Sequence, residues 1–241
     1  MILARIETPA GVVHATPAGD GLWQPVTDPY AAFAAGSAPE PVGSPVAGTP
    51  LAASTPTVVV GIAQPAEPGG EPGAWLKSPR TVTASGVDVV ARRDAGRVVI
   101  EGEVAVVIGK PTAGVTAENA HEFVLGVTAV NDVSSPDRPD VRNFEVKGGE
   151  GYTPLGPWID TDASLEDASL VVAIDGVERV ATGAADLAAS VAQCVAYVAH
   201  WVELGPGDVI MTGAPLSGFT IEPEATVEIT VAGVPLVNRF V

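Results

Sequence analysis

The chain has 241 residues, of which 46% are hydrophobic; this predicts a sizeable core and excludes a largely disordered protein. Its 12 Lys and Arg residues stand against 29 Asp and Glu residues, and the net charge of −17 disfavours nucleic acid and anionic lipid as partners. The single cysteine, Cys194, excludes an intramolecular disulfide and a cysteine metal cluster.

Neither a membrane anchor nor a secretion signal is predicted from the chain. No segment has the roughly 20 consecutive apolar residues that a membrane-spanning helix needs. The opening stretch "MILARIETPAG" lacks the basic start and the apolar run of a signal peptide. We therefore expect a cytoplasmic protein, and the acidity is best explained as a solubility or salt adaptation.

The first 54 residues differ in composition from the rest of the chain. Residues 1–23 predict short strands separated by PAG and GDG turns. Residues 31–54 are rich in Ala, Gly, Pro and Ser, which predicts the end of a helix and then a linker. We predict a boundary near Ser54, with a small N-terminal β-rich region and linker over 1–54 and the main domain over 55–241. Residues 1–54 either pack separately, contribute to a dimer interface or cover a site.

Strands dominate the main domain. The β-branched run 57–63 predicts a buried strand, and the Pro- and Gly-rich residues 64–74 predict a loop. The stretch "RVVIEGEVAVVIGK" has the strongest strand pattern in the sequence. Asp175-Gly176 predicts the turn of a hairpin, and strands are also expected in "VIMTGAP" and "TVEITVAGVPLVNRFV".

Two helices are predicted in the same domain. Residues 116–127 predict a short helix with Thr116 as its N-cap and Glu118 in its first turn. The clearest helix is predicted over 186–204, because apolar side chains recur there at helical spacing. This buried stripe consists of Leu187, Val191, Cys194, Val195, Val198 and Val202. Many strands and few helices predict a mixed α+β fold rather than βαβ alternation.

Two acidic residues interrupt the strongest strand, in "IEGEVAVVIGK" (100–110). Glu101 and Glu103 are two apart, so both side chains point to the same face of the strand. Two like charges on a buried strand repel each other and resist desolvation. Either a cation, a nearby Arg or Lys, or solvent at the strand end must compensate them, and spacing alone leaves these alternatives open.

A third carboxylate follows the next apolar stretch. Asp132, in "AVNDVSS" (129–135), ends that stretch and is expected near Glu101 and Glu103. Three carboxylates with water suit Mg²⁺ or Mn²⁺ better than zinc. The alternative is an ordinary turn, in which Asn and Asp are common.

Four motifs carry a resemblance to a known family. They are "EGEVAVVIGK", "GVTAVNDVSS", "KGGEGYTPLGPWI" and "LGPGDVIMTGAP". In their order and spacing, over about residues 57–241, the chain resembles the fumarylacetoacetate hydrolase family. The resemblance implies a β-rich α+β fold of layered mixed β-sheets with a few helices, in which 55–241 is the catalytic domain. It also implies bound Mg²⁺ or Mn²⁺, a homodimer and a small-molecule 2-oxo carboxylate as substrate.

The resemblance also implies roles for individual residues. Lys147 matches the active-site lysine of the family; taken alone, it would be read as a surface loop lysine. Thr212 and Gly213 match the segment that lies against the substrate carboxylate, although Ala214 replaces the usual second threonine. The metal ligands implied by the resemblance are Glu101, Glu103 and Asp132.

The sequence departs from the family after the 57–63 strand. Family hydrolases and decarboxylases carry a His–Glu acid–base pair there, whereas "GIAQPAEPGGEPGAWLKSP" has no histidine to pair with Glu67 or Glu71. The arginine that often follows the "ND" motif is displaced to Arg138 and Arg142. The three histidines lie elsewhere in the chain, at His14, His121 and His200.

The missing acid–base pair decides between the possible reactions. Hydrolytic C–C cleavage needs a base to activate water, and such help is worth about 10²–10⁴-fold. We therefore predict a metal-dependent decarboxylase or isomerase of a 2-oxo-ene-dioate or a 2-hydroxydienoate in aromatic catabolism. "WLKSPRTV" is similar to the family branch of 2-hydroxyhepta-2,4-diene-1,7-dioate isomerase and 5-carboxymethyl-2-oxo-hex-3-ene-1,6-dioate decarboxylase. The alternatives are an acylpyruvate or fumarylpyruvate C–C hydrolase, and a non-catalytic subunit of a hetero-oligomer.

Overall fold

A computed structural model describes residues 1–92, 94, 96–138 and 143–241. In this part of the chain the helices are α1 (Pro29–Ala34), α2 (Phe144–Lys147) and α3 (Val191–Trp201). Short 3₁₀ turns lie at Pro79–Thr81, Ala120–Glu122 and Ala184–Asp186. The first strands are β1 (Ile2–Thr8), β2 (Gly11–Gly19), β3 (Leu22–Pro25), β4 (Thr49–Pro50), β5 (Val59–Ala63), β6 (Gly73–Lys77), β7 (Val82–Ala84), β8 (Val98–Ile108) and β9 (Val124–Asn131). The remaining strands are β10 (Thr153–Leu155), β11 (Trp158–Asp160), β12 (Ser169–Ile174), β13 (Val177–Gly183), β14 (Val209–Met211), β15 (Gly218–Ile221), β16 (Thr226–Val231) and β17 (Val234–Arg239).

These strands form one large mixed sheet and one small sheet. The main path of the large sheet runs β3-β2-β1-β11-β9-β8-β14-β5-β6, with β4, β7, β10 and β15 pairing beside it. Most neighbours are antiparallel, but β14 and β5 run parallel. The small sheet has the order β13-β12-β16-β17. The predicted β-rich α+β fold of layered mixed sheets with a few helices is confirmed.

Strand β8 lies between two hydrophobic layers. Ile100 and Val104 on one face pack with the small sheet and α3, while Ala105 and Val107 on the other face belong to a second apolar cluster. A Cβ atom at Gly102 would lie 2.7 Å from Val172 Cγ2 of β12, so only glycine lets the sheets approach this closely. The glutamates on either side of Gly102 therefore face away from the small sheet.

Several sequence predictions are confirmed by the strands. Short strands occupy the first 25 residues, β8 covers the strongest strand pattern, and Asp175-Gly176 is the turn between β12 and β13. Strand β1 pairs with β2, β4 and β11, so the N-terminal region continues the large sheet. The division into 1–54 and 55–241 stays a prediction.

The predicted helix over 116–127 is wrong. Only the 3₁₀ turn Ala120–Glu122 forms, and Val124 already begins the fully buried strand β9. Thr116 does not act as an N-cap, because no helix begins directly after it and the residue before the 3₁₀ turn is Asn119. This segment forms a strand because it pairs along β8, and its β-branched residues favour the extended conformation.

Two other predicted boundaries shift. Helix α3 starts after Ser190, which forms a capping box with Gln193, and it ends at Trp201, so it is shorter than 186–204. The loop predicted over 64–74 ends at Pro72, because β6 begins at Gly73 and pairs with β5. No helix in the described ranges combines the length and the apolar character that crossing a membrane requires.

Candidate active site

The register between β8 and β9 brings the acidic residues together. Gly102 lies opposite Asn131, and the Asp132 N–H donates to the Glu101 carbonyl oxygen at 2.9 Å. Glu101 and Asp132 are therefore cross-strand neighbours, and Glu103 projects from the same face two residues further along. One carboxylate oxygen from each of the three residues lies within 4.8 Å of the others. The three predicted metal ligands thus converge on one face of the sheet.

Burial separates these carboxylates from bulk solvent. Asp132 is 0% exposed and Glu103 is 2% exposed, whereas Glu101 is partly exposed. Burial, reinforced by the negative charges of Asp132 and Glu101, raises the pKa of Glu103 well above its ordinary value. The Gly213 N–H donates to Glu103 Oε2 at 2.6 Å. Solvent at the strand end therefore does not compensate Glu103 and Asp132.

Lys147, at the end of α2, places its ammonium between two of the carboxylates. Its Nζ donates to Glu101 Oε2 at 2.9 Å and to Asp132 Oδ2 at 2.6 Å. Burial lowers the pKa of Lys147, but the carboxylates of Asp132 and Glu101 outweigh burial and raise it above its ordinary value. Lys147 is accordingly a buried cation of the cluster and not a surface loop lysine.

Lys77, at the end of β6, is a second cation that the sequence analysis missed. Its side chain is 1% exposed, and its Nζ forms a short ion pair with Asp132 Oδ1. The same Nζ donates to the carbonyl oxygens of Tyr152 at 2.6 Å and Val133 at 3.2 Å. The sequence signal that could have found this residue is a charged lysine at the end of the strand pattern of β6. The neighbouring residues do not indicate that Asp132 is its partner.

The charges of Lys77 and Asp132 depend on each other. Burial lowers the pKa of Lys77, and the Asp132 carboxylate offsets only part of this effect. Burial also raises the pKa of Asp132, but the ammonium groups of Lys77 and Lys147 outweigh it and bring that pKa below its ordinary value. Asp132 is therefore ionised at neutral pH, held by two ammonium groups.

The "TGAP" segment closes one side of the cluster. The Thr212 hydroxyl donates to the Val104 carbonyl at 2.8 Å, and the Gly213 N–H is engaged by Glu103. Gln64, in the loop after β5, donates to the Thr212 carbonyl at 2.7 Å and accepts from the Ala189 N–H at 2.7 Å. Both predicted substrate-binding residues lie beside the carboxylates, but their donors are already used within the protein.

The glutamates in the loop after β5 and two of the histidines are exposed to solvent. Glu67 and Glu71 are exposed in the loop between β5 and β6, and His121 and His200 are exposed elsewhere. Arg138 is paired with Glu145, its Nε donating to Oε2 at 2.7 Å. The displaced Arg142 lies outside the described residues.

The donor set fits a hard divalent cation. Three carboxylates offer closely spaced oxygen ligands, the type that Mg²⁺ and Mn²⁺ prefer. Two ammonium groups balance two of the three negative charges, and the remaining carboxylate, Glu103, is the one whose pKa is raised. A divalent cation would compensate the excess negative charge that a proton on Glu103 otherwise removes.

Comparison with known proteins extends this result. The family model described as fumarylacetoacetate (FAA) hydrolase C-terminal matches residues 52–241. The 4-hydroxyphenylacetate degradation bifunctional isomerase/decarboxylase of Salmonella dublin is 33% identical over 184 residues, which are 72% of this chain and 42% of that protein. The chain thus spans less than half the length of the first curated relatives that it matches.

Solved structures resemble the whole chain. The 5-carboxymethyl-2-hydroxymuconate delta-isomerase from Mycobacterium smegmatis has a TM-score of 0.91 at 33% identity, covering 100% of this chain and 99% of that chain. The 2-hydroxyhepta-2,4-diene-1,7-dioate isomerase from Mycobacterium marinum has a TM-score of 0.89 at 28% identity, covering 100% and 98%. The structural similarity confirms the predicted fold, and the names of the relatives confirm the prediction of an enzyme family. The chain belongs to the fumarylacetoacetate hydrolase family.

Proposed function

We propose that the chain is a metal-dependent decarboxylase or isomerase that acts on a 2-oxo-ene-dioate or a 2-hydroxydienoate in aromatic catabolism. The observation that carries the proposal is the convergence of Glu101 with the buried Glu103 and Asp132 beside Lys147. The relatives named as isomerase/decarboxylases support the reaction class.

The proposed ligands of Mg²⁺ or Mn²⁺ are Glu101, Glu103 and Asp132. When bound, such a cation acts as a Lewis acid that withdraws electrons from a chelating 2-oxo acid. Lys77 and Lys147 hold Asp132 ionised and in one orientation. The Gly213 N–H fixes the orientation of Glu103.

Lys147 is the proposed catalytic residue. Decarboxylation and enol–keto isomerisation both develop negative charge on the 2-oxo oxygen, and a preorganised cation stabilises that charge. The raised pKa of Lys147 keeps its Nζ protonated, so it acts as a hydrogen-bond donor and not as a base. Its burial excludes water, which strengthens this electrostatic effect. Thr212 and Gly213 remain the proposed segment that lies against the substrate carboxylate, in van der Waals contact because their donors are used within the protein.

Two alternatives remain. An acylpyruvate or fumarylpyruvate C–C hydrolase would need a base for water, and the exposed Glu67 and Glu71 have no imidazole partner in the described residues. A non-catalytic subunit of a hetero-oligomer would have little chemical reason to gather three carboxylates, two of them buried, beside two buried lysines. Both observations favour the decarboxylase or isomerase.

The first experiment is titration calorimetry with Mg²⁺ and Mn²⁺. Wild type is compared with Glu101→Gln/Glu103→Gln, and Glu118→Gln/Glu122→Gln serves as a control that makes the same charge change at exposed positions. We expect metal affinity to fall at least 100-fold in the first variant only, and wild type to decarboxylate or isomerise 2-oxo-ene-dioates. Absence of metal binding to wild type, tested also with oxalate, would refute the proposal. Pyruvate release from an acylpyruvate at an ordinary enzymatic rate would favour the hydrolase.

The assembly and location belong to the same proposal. We propose a cytoplasmic homodimer, following the resemblance to the family. Sedimentation equilibrium of the purified chain is expected to give twice the chain mass of 24.3 kDa. A stable complex with a different family member at fixed stoichiometry would instead support the non-catalytic alternative.

A further inference from the structure

The indole nitrogen of Trp75 is buried without a hydrogen-bond acceptor in the described part of the chain. Indole N–H is a donor only, and buried donors in native proteins nearly always have a partner. Trp75 lies on β6, two residues before Lys77, so both side chains project to the same face of the strand. Lys77 reaches Asp132 on that face, which places Trp75 on the side of the carboxylates.

The ring of Trp75 extends across the neighbouring strand. Gly61 of β5 is its cross-strand partner, and a Cβ atom there would lie 2.5 Å from Trp75 Cε2 and 2.8 Å from Nε1. Gly61 is in turn paired with Met211 of β14, which pairs with Ala105 of β8. The nitrogen therefore lies over the sheet, in the row next to Glu103, and not at the outer edge of β6.

A cation lies against the same ring. The Nζ of Lys147 is 4.8 Å from the Trp75 ring centroid, while it also bonds Glu101 and Asp132. The indole N–H and the ammonium are both donors, so one oxygen acceptor can meet both, and an anionic oxygen does so most strongly. With a divalent cation added, the three carboxylates and two ammonium groups have one excess positive charge, which favours an anionic ligand.

Three of the described residues that could bind a substrate carboxylate already use their donors within the protein. Thr212 bonds Val104, the Gly213 N–H bonds Glu103, and Arg138 is paired with Glu145.

We propose that Trp75 is a substrate-binding residue, whose Nε1–H donates to a carboxylate oxygen of a 2-oxo acid that also contacts Lys147. This inference rests on the proposed function. Because Nε1 has no exposed surface, binding must be accompanied by a shift of the indole ring or of the Lys147 side chain.

The test uses the full chain labelled with ¹⁵N-tryptophan, with Mg²⁺ and oxalate as the probe. The chain has 4 tryptophans, and the Trp75 indole resonance is assigned from the Trp75→Phe variant. We expect oxalate to move that resonance downfield and to slow its hydrogen exchange. The indole of Trp201, which is 67% exposed on α3, should stay unchanged.

Trp75→Phe also keeps an aromatic ring while it removes the donor. In calorimetry this variant should bind Mg²⁺ within about twofold of wild type but bind oxalate about tenfold more weakly, as loss of a hydrogen bond to a charged group predicts. Trp201→Phe should match wild type in both measurements. An unmoved Trp75 resonance in a sample that binds oxalate, or unchanged oxalate affinity of Trp75→Phe, would overturn this inference alone. Absence of oxalate binding to wild type would overturn the proposed function with it.

Discussion

Replacing Lys77 with methionine tests how the buried charges are held. Methionine keeps most of the side-chain volume but removes one of the two ammonium groups from Asp132, which is 0% exposed. The carbonyl oxygens of Tyr152 and Val133 lose a donor as well. Removing one partner of a buried ion pair costs about 3–5 kcal/mol. After this change Lys147 alone compensates Asp132, and the buried cluster carries one more excess negative charge. We expect the free energy of unfolding to fall by about that amount.

Urea denaturation of the metal-free protein measures this loss. Lys110→Met is the matched control, since Lys110 is only partly buried over the Phe123 ring at 4.6 Å and should cost less than about 1 kcal/mol. Adding Asp132→Asn to Lys77→Met should cost less than the sum of the single changes, because the uncompensated charge is removed. A loss below about 1 kcal/mol for Lys77→Met would refute the reasoning.

Three further predictions concern packing, pH and capping. Burial raises the pKa of the Cys194 thiol to about 12. Above the ordinary thiol pKa of 9.0, only the unfolded thiol ionises. Wild type should therefore lose up to about 1.4 kcal/mol of stability per pH unit relative to Cys194→Ala, and equal slopes in urea titrations would contradict this. Ser190→Ala removes the capping box of α3 and should cost about 1 kcal/mol in urea denaturation, whereas Ser164→Ala, on an exposed loop, should cost less. Gly61→Ala should shift the Trp75 indole resonance and lower stability by about 1–3 kcal/mol, because its Cβ would overlap the ring; an unchanged resonance would exclude that contact.

Local sequence patterns alone predicted most of the strands and the three carboxylates of the candidate site. Alternation along β8 places Glu101 and Glu103 on one face, and the end of an apolar stretch places Asp132 at the end of β9. Such patterns can be recognised in the sequence because side chains along a strand alternate between its two faces, whatever the strand pairs with. The same local reasoning failed for 116–127, where Val124 and its neighbours form a strand only because β8 offers a pairing edge.

The groups that compensate the carboxylates reach them through long-range contacts between strands. Lys77 and Trp75 lie on β6, three strands from β8 along the path β8-β14-β5-β6, and Lys77 meets Asp132 across a sequence separation of 55 residues. Strand order and register are set by long-range pairing, which a local pattern does not encode. The commitment of the Gly213 N–H to Glu103 likewise follows from the packing of β14 beside β8. The sequence thus predicted where negative charge accumulates, and the fold determined which groups hold it.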